Sequence, residues 1–111
     1  RNHLEAVKLK QMGVKAGVSD LCLPYPKGIY CGLYIEMKYG DNRQTDSQKD
    51  FLADMAEVGH FVATCYSAEE AITVVTEYLS LADRKHMERN GAMRLPNNCI
   101  LKNGKVKGGG A

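Results

Sequence analysis

Asp20, Glu36 and Lys38 are the residues of this chain whose types and spacing offer the most chemistry. Glu36-Met37-Lys38 closes an apolar run that begins at Ile29. Strand side chains alternate, so Glu36 and Lys38 project from one face with Tyr34, while Leu33, Ile35 and Met37 point the other way. Asp20 lies in an earlier strand, Val18 to Leu23, which Pro24 and Pro26 end. A hairpin through Pro26-Lys27-Gly28 brings Asp20 opposite the Glu36 end of the second strand. Two carboxylates converging with an ammonium can hold a hard divalent cation while the lysine contacts a phosphate or orients a water. On its own, a Glu-x-Lys tripeptide is more often a surface ion pair on an edge strand.

Gln48 adds to the constellation. It stands three, four and seven residues before Phe51, Leu52 and Met55, on the apolar stripe of the next helix, where a glutamine is out of place. Two roles are open: capping-box partner of Thr45, or an amide directed at Glu36 and Lys38. The two are compatible.

The elements that position these residues follow from local pattern. Asn2 to Met12 reads as a helix, with Asn2 as N-cap, Glu5 as its capping-box partner and Gly13 as the stop. Tyr39 to Gln44 is a polar loop, and Thr45-Asp46-Ser47-Gln48 opens a helix that Gly59 closes. Its stripe is Phe51, Leu52, Met55 and Ala56. His60 to Tyr66 reads as a third strand, and Ser67-Ala68-Glu69-Glu70 opens a second long helix with a stripe of Ala71, Ile72, Val75 and Leu79. The order is α-β-β-α-β-α, an α/β fold with a mixed sheet flanked by helices, the second helix forming the crossover if its two strands are parallel neighbours. After Ala82 the stripe is lost. Residues 1–82 read as the domain and 83–111 as a basic tail with a short hairpin, Cys99 to Lys107, turning at Asn103-Gly104.

Composition bounds the function. A chain of 111 residues, 44% apolar and 25% charged, suits one compact domain. The net charge of +2 hides a segregation. Residues 1–27 carry five Lys/Arg against two acids, 28–81 three against nine, and 82–111 seven against two. An acidic middle between basic ends suits an anionic partner held by the periphery, although charge runs usually mark solvated faces. No apolar run approaches the ~20 residues of a membrane span, and the chain does not open on a secretion signal. The four cysteines show no C-x-x-C pair and no clustering with histidine, which predicts reduced thiols, Cys22, Cys31 and Cys65 in the core, and a cytoplasmic protein. His60 is expected to be partly exposed and structural; His3 and His86 stand in polar surroundings. Tyr39, Arg43 and Gln44 flank the proposed site on a loop, where they either contact a nucleic-acid backbone or are simply solvated.

Gly17-Val18-Ser19-Asp20, Leu33-Tyr34-Ile35-Glu36-Met37-Lys38, and Thr45-x-x-Gln48 followed by Phe51 resemble the PD-(D/E)xK nuclease superfamily. More narrowly they resemble its VRR-NUC branch, the virus-type replication-repair nuclease domain. Leu9 to Gly17 is similar to that branch's entry segment, and Gly59 to Ala71 to its closing strand and helix, so the resemblance covers about residues 1–80. It implies a restriction-endonuclease-like core that hydrolyses phosphodiesters with Mg²⁺ or Mn²⁺. Asp20 and Glu36 would be metal ligands with the main-chain carbonyl of Met37, Lys38 would stabilise charge or orient the water, and Gln48 would support them. Lys38 and Arg43 are the expected DNA contacts. Two positions depart from the pattern. Ser19 replaces a frequent proline, and Glu5 is the only acid upstream, as suited to a cap as to a ligand. Stand-alone members resemble phage-encoded homodimeric endonucleases that act on four-way junctions. The expected partners are therefore branched or junction DNA and a second copy of the chain, in the host cytoplasm if phage-encoded. The rival readings are a non-catalytic nucleic-acid-binding module, against which the intact Asp20, Glu36 and Lys38 argue, and a restriction-type or nicking nuclease.

Overall fold

The computed structural model describes residues 20–83 and 91–108. The helix expected over 2–12, with Glu5, and the first two residues of the expected first strand lie outside them. The chain then runs β1 (Leu21–Leu23), β2 (Gly32–Met37), α1 (Asp46–Glu57), β3 (His60–Cys65), α2 (Ala68–Leu79), β4 (Cys99–Lys102) and β5 (Lys105–Lys107). The strands form one mixed sheet in the order β1-β2-β3-β4-β5. β1 is antiparallel to β2, β3 is parallel to β2, β4 is parallel to β3, and β5 returns antiparallel. The β2–α1–β3 unit is thus the expected crossover between parallel neighbours.

β2 begins at Gly32 rather than Ile29, because the chain is still turning: Lys27 and Tyr30 form an isolated antiparallel bridge around Gly28. Gly28 has φ +54°, and a Cβ there would strike the Gly91 carbonyl, so this turn requires glycine. Its amide donates to the Ala82 carbonyl at 2.7 Å and that of Ile29 to Gly91 at 2.6 Å, which moors the hairpin to the segments beyond α2.

One face of the sheet presents Leu33, Ile35, Phe61, Ala63, Cys65, Cys99 and Leu101 to α2, and this is the main core. The buried side of α2 is Ala71, Val74, Val75, Tyr78 and Leu79. Ile72, placed on the stripe from spacing, is 43% exposed, because the contact face runs through Val74 and Tyr78, one step further round the helix. The other face receives α1 through Leu52, over Val62 and Thr64 of β3. Phe51 is exposed at 47% yet sets its ring edge-on against Tyr34, centroids 5.4 Å apart. Cys22 is exposed, correcting its assignment to the core: in the BeB pattern of β1 it points away from Leu21 and Leu23. Cys31 is only half-buried; Cys65 is buried as expected, and all four thiols are free.

The hairpin expected in the tail exists, but it is no appendage. β4 pairs with β3 through Ala63↔Cys99 to Cys65↔Leu101, and Cys99, Leu101 and Met93 fill the α2-side core. A boundary at residue 82 therefore cuts through one sheet; the apolar alternation Cys99, Leu101 was the signal that these residues pack. No helix among the described residues is long and apolar enough to cross a membrane.

Candidate active site

β2 and β3 run parallel, so their C-terminal ends emerge on one side of the molecule, and the polar residues singled out from spacing meet there. The β1–β2 register, Leu21↔Ile35, carried one step outward sets Asp20 beside Glu36. Asp20 is fixed by two donors: the Met37 amide to Oδ1 at 3.0 Å and the Tyr34 hydroxyl to Oδ2 at 2.9 Å. Tyr34 is two positions before Glu36 on the same face, which is how one strand supplies both a carboxylate and the phenol orienting the other. Burial first, then the hydrogen bond it donates to Asp20, pushes the Tyr34 hydroxyl well above the usual tyrosine range. It therefore stays a donor to Asp20 at any working pH.

Glu36 is 4% exposed and lies next to Thr64 across the β2–β3 pairing. Its Oε2 is 3.4 Å from Lys38 Nζ, and Lys38 is nearly as covered, its side chain 13% exposed rather than standing out on the polar side. Lys38 Nζ donates to Gln48 Oε1 at 2.8 Å. That same oxygen accepts the Thr45 amide at 2.9 Å, while Thr45 Oγ1 accepts the Gln48 amide at 3.2 Å. Gln48 is therefore both things its position suggested. The capping box of α1 pins the side-chain amide, and the pinned oxygen holds the lysine.

The charges do not balance. Asp20 and Glu36 carry two negatives against one ammonium in a half-covered recess. The Glu36 carboxyl is pushed above its ordinary 4.5, chiefly by burial and then by Asp20, with Lys38 pulling it back. Such a recess suits a hard cation: the donors are carboxylate oxygens, and a buried carboxylate destabilised by its neighbour gains most from a divalent charge. Among the described residues no three His, Cys, Asp or Glu side chains converge to hold a metal. Asp20 and Glu36 make two, and Glu5 lies outside them.

The strained carboxylate has a measurable consequence. A carboxyl with a raised folded-state value binds its proton more tightly folded than unfolded. Folding stability then drops as pH rises from about 4.5 toward that value. In EDTA, the urea midpoint of the parent should fall with pH across this range relative to Glu36→Gln, whose amide does not titrate. Parallel pH profiles for the two proteins would assign the strain elsewhere.

Arg43 is not among these residues. It is exposed and lines a separate cleft with Lys49 and the β4–β5 hairpin, beyond Gln44, whose amide donates to Thr64 Oγ1. His60 sits at the opposite end of the sheet, half-buried with Nδ1 3.5 Å from Cys31 Sγ, remote from the carboxylates. Tyr34 and Thr64 are the site neighbours that sequence reading did not single out. The same-face alternation with Glu36 was a signal for Tyr34, but Thr64 reaches the site only through pairing of β3 with β2.

A mixed α/β sheet carries this acid–acid–lysine cluster at the end where β2 and β3 finish, and similarity to known proteins makes it a nuclease-type domain. The family model of the VRR-NUC domain matches residues 1–69, and the chain belongs to that family. Among solved structures, one described as a VRR_NUC domain protein superposes with a TM-score of 0.58 at 35% identity, covering 82% of this chain and 71% of that one. No curated protein matches this chain.

Proposed function

We propose that the chain is a metal-dependent DNA endonuclease that hydrolyses phosphodiester bonds at Asp20, Glu36 and Lys38. The observation that carries the reading is the pinned lysine. A side chain wanted only for stability needs no helix cap dedicated to orienting it. Lys38 has three N–H groups; one is given to Gln48 and one faces Glu36, which leaves the third for a phosphate oxygen or the attacking water.

Asp20 and Glu36 would hold Mg²⁺ or Mn²⁺ with the main-chain carbonyl of Met37, a residue whose own N–H donates to Asp20. When bound, the cation neutralises phosphate charge and makes water a better nucleophile. The reaction adds a water oxygen to phosphorus and breaks one P–O bond, with the water proton passing to solvent and the leaving oxygen taking one up. Lys38 keeps the phosphate oxygen beside the carboxylates by offsetting their charge, and Gln48 keeps Lys38 from collapsing fully onto Glu36. Tyr34 holds Asp20 in the orientation that leaves its free lone pairs toward the recess.

The family resemblance supports branched or four-way-junction DNA as substrate and a homodimer as the working form. One site per chain cuts one strand, and a two-fold pair cuts two symmetric strands. Incubating linear, nicked, flapped and four-way DNA with the protein in Mg²⁺, Mn²⁺ or EDTA tests the preference. Four-way DNA should be cut fastest in either metal, and equal rates on linear duplex would overturn the structure-specific reading. Sedimentation at micromolar concentration should give about twice the 12.3 kDa chain mass; a 12.3 kDa species would overturn the dimer.

A further inference from the structure

The described residues hold a second feature at the same end of the sheet. Arg43 in the loop before α1 and Lys49 on α1 form one wall of an open cleft, and Lys102, Lys105 and Lys107 of the β4–β5 hairpin form the other. The Tyr66 ring lies between, with Lys102 Nζ 4.7 Å from its centroid. Lys102 also reaches Asp41 at 3.8 Å, but Arg43, Lys49, Lys105 and Lys107 are ion-paired with no carboxylate among the described residues. Four unpaired cations facing one another repel, so the arrangement gains when a polyanion enters.

The hairpin is not a loose arm. Glu70 uses one carboxylate oxygen to accept the Gly104 amide at 3.2 Å and the other to accept the Tyr66 amide at 3.1 Å. It thus clamps the turn, whose Asn103 and Gly104 have φ +53° and +74°, to the start of α2. The Tyr66 hydroxyl donates to the Asn42 carbonyl at 2.6 Å and ties the opposite wall to the same floor. Both walls are held before any ligand arrives. The near wall is continuous with the active site, since Gln44 bonds Thr64 beside Glu36 and Lys49 follows Gln48.

We propose that this cleft binds the phosphodiester backbone of the same nucleic acid that is cut at Lys38, holding the phosphates that flank the scissile bond. This rests on the nuclease reading above. From β2 to β5 is three strand spacings, roughly 14 Å at ~4.8 Å each. That is the rise of about four base pairs at ~3.4 Å per step, so the hairpin lysines meet the backbone within half a helical turn of the cleavage point. The contacts are to phosphate alone, so they fix register and orientation without reading sequence.

The test is duplex binding in EDTA, where the strand stays intact, followed by fluorescence anisotropy across a salt series. Each lost phosphate contact lowers the log–log salt slope by about 0.9, which is roughly eightfold in affinity at 0.1 M salt. Lys105→Gln/Lys107→Gln should lower the slope by about 1.8, and Arg43→Gln, on the other wall, by about 0.9. All three side chains are exposed, so circular dichroism should match the parent. Arg94→Gln removes a charge on the α2 side and should leave the slope unchanged. Unchanged slopes in the cleft variants, or an equal loss in Arg94→Gln, overturn the proposal. Cleavage by Lys38→Ala reads the active site separately. A fall in slope supports the cleft even if that variant cuts normally, a result that would remove only Lys38 from the chemistry; absence of cleavage by the parent in either metal would overturn the nuclease reading alone.

Discussion

Lys38→Ala should bind Mn²⁺ as the parent does and cut DNA roughly 10²–10⁴ times more slowly, the scale of losing a positioned charge-stabilising or proton-transfer group. The substitution removes the one ammonium of the recess while leaving Asp20 and Glu36 in place. The variant should still fold, although the side chain is more covered than its place at a strand end suggested. Glu36 loses its counter-ion but is already shifted toward holding a proton, so it can be neutralised in place. Gln48 keeps its bond to the Thr45 amide, so the α1 cap survives. Circular dichroism, calorimetric Mn²⁺ titration and single-turnover cleavage check the three parts. A variant that folds, binds Mn²⁺ and cuts at the parent rate would remove Lys38 from the chemistry.

Asp20→Asn should have the opposite profile. The asparagine oxygen can still accept the Met37 amide, and its NH₂ can face the Tyr34 hydroxyl in place of Oδ2, so local structure is kept. The recess, however, goes from two carboxylates to one, and a hard divalent cation held by carboxylates depends on that charge. Mn²⁺ affinity should fall at least tenfold, and activity with it, recovering in part as metal is raised. The repulsion that Asp20 exerts on Glu36 should ease as well, because Asp20 is the second largest cause of its shift after burial. The cleavage losses of the two variants look alike at a single metal concentration. Only the titration separates them, and indistinguishable Mn²⁺ isotherms for Asp20→Asn and the parent would place the cation elsewhere.

Much of this was legible in the sequence, for reasons that differ by residue. Glu36 and Lys38 share a face because strand alternation is a local rule, and no tertiary information is needed to read it. Asp20 required the β1–β2 hairpin, which Pro24, Pro26 and Gly28 announce. Gln48 announced itself by being polar on an apolar stripe; the bifurcated role of its oxygen, cap and lysine holder at once, is visible only in three dimensions. What stayed hidden depends on pairing between segments distant in the chain. Thr64 meets Glu36 because β3 lies parallel to β2, and a parallel register has no turn to betray it. The same holds for β4: its short run and its distance from β3 made it look like a tail. Its basic residues gain meaning only when the sheet sets them opposite Arg43 and Lys49. On α2 the misreading of Ile72 for Val74 and Tyr78 is one of phase. Ile72 lies at the edge of the apolar face beside Ala71 and Val75, and only packing decides which edge is covered.

The division of labour across the sheet follows from that architecture. The α2 side is a closed apolar core and carries stability, with Tyr78 donating its hydroxyl to the Tyr25 carbonyl at 2.8 Å to lock the first hairpin onto it. The α1 side is thinner, anchored by Leu52, and its rim holds the charged groups. Glu36 tolerates burial there because Lys38 lies 3.4 Å from its carboxylate, with Thr64 its pairing neighbour on β3.

The most direct measurement is incubation of the purified protein with four-way-junction DNA in Mg²⁺ or Mn²⁺, with an EDTA arm. The account predicts cleaved strands in at least one metal and intact junctions in EDTA. Junctions left intact in both metals, or cut equally well in EDTA, would contradict it.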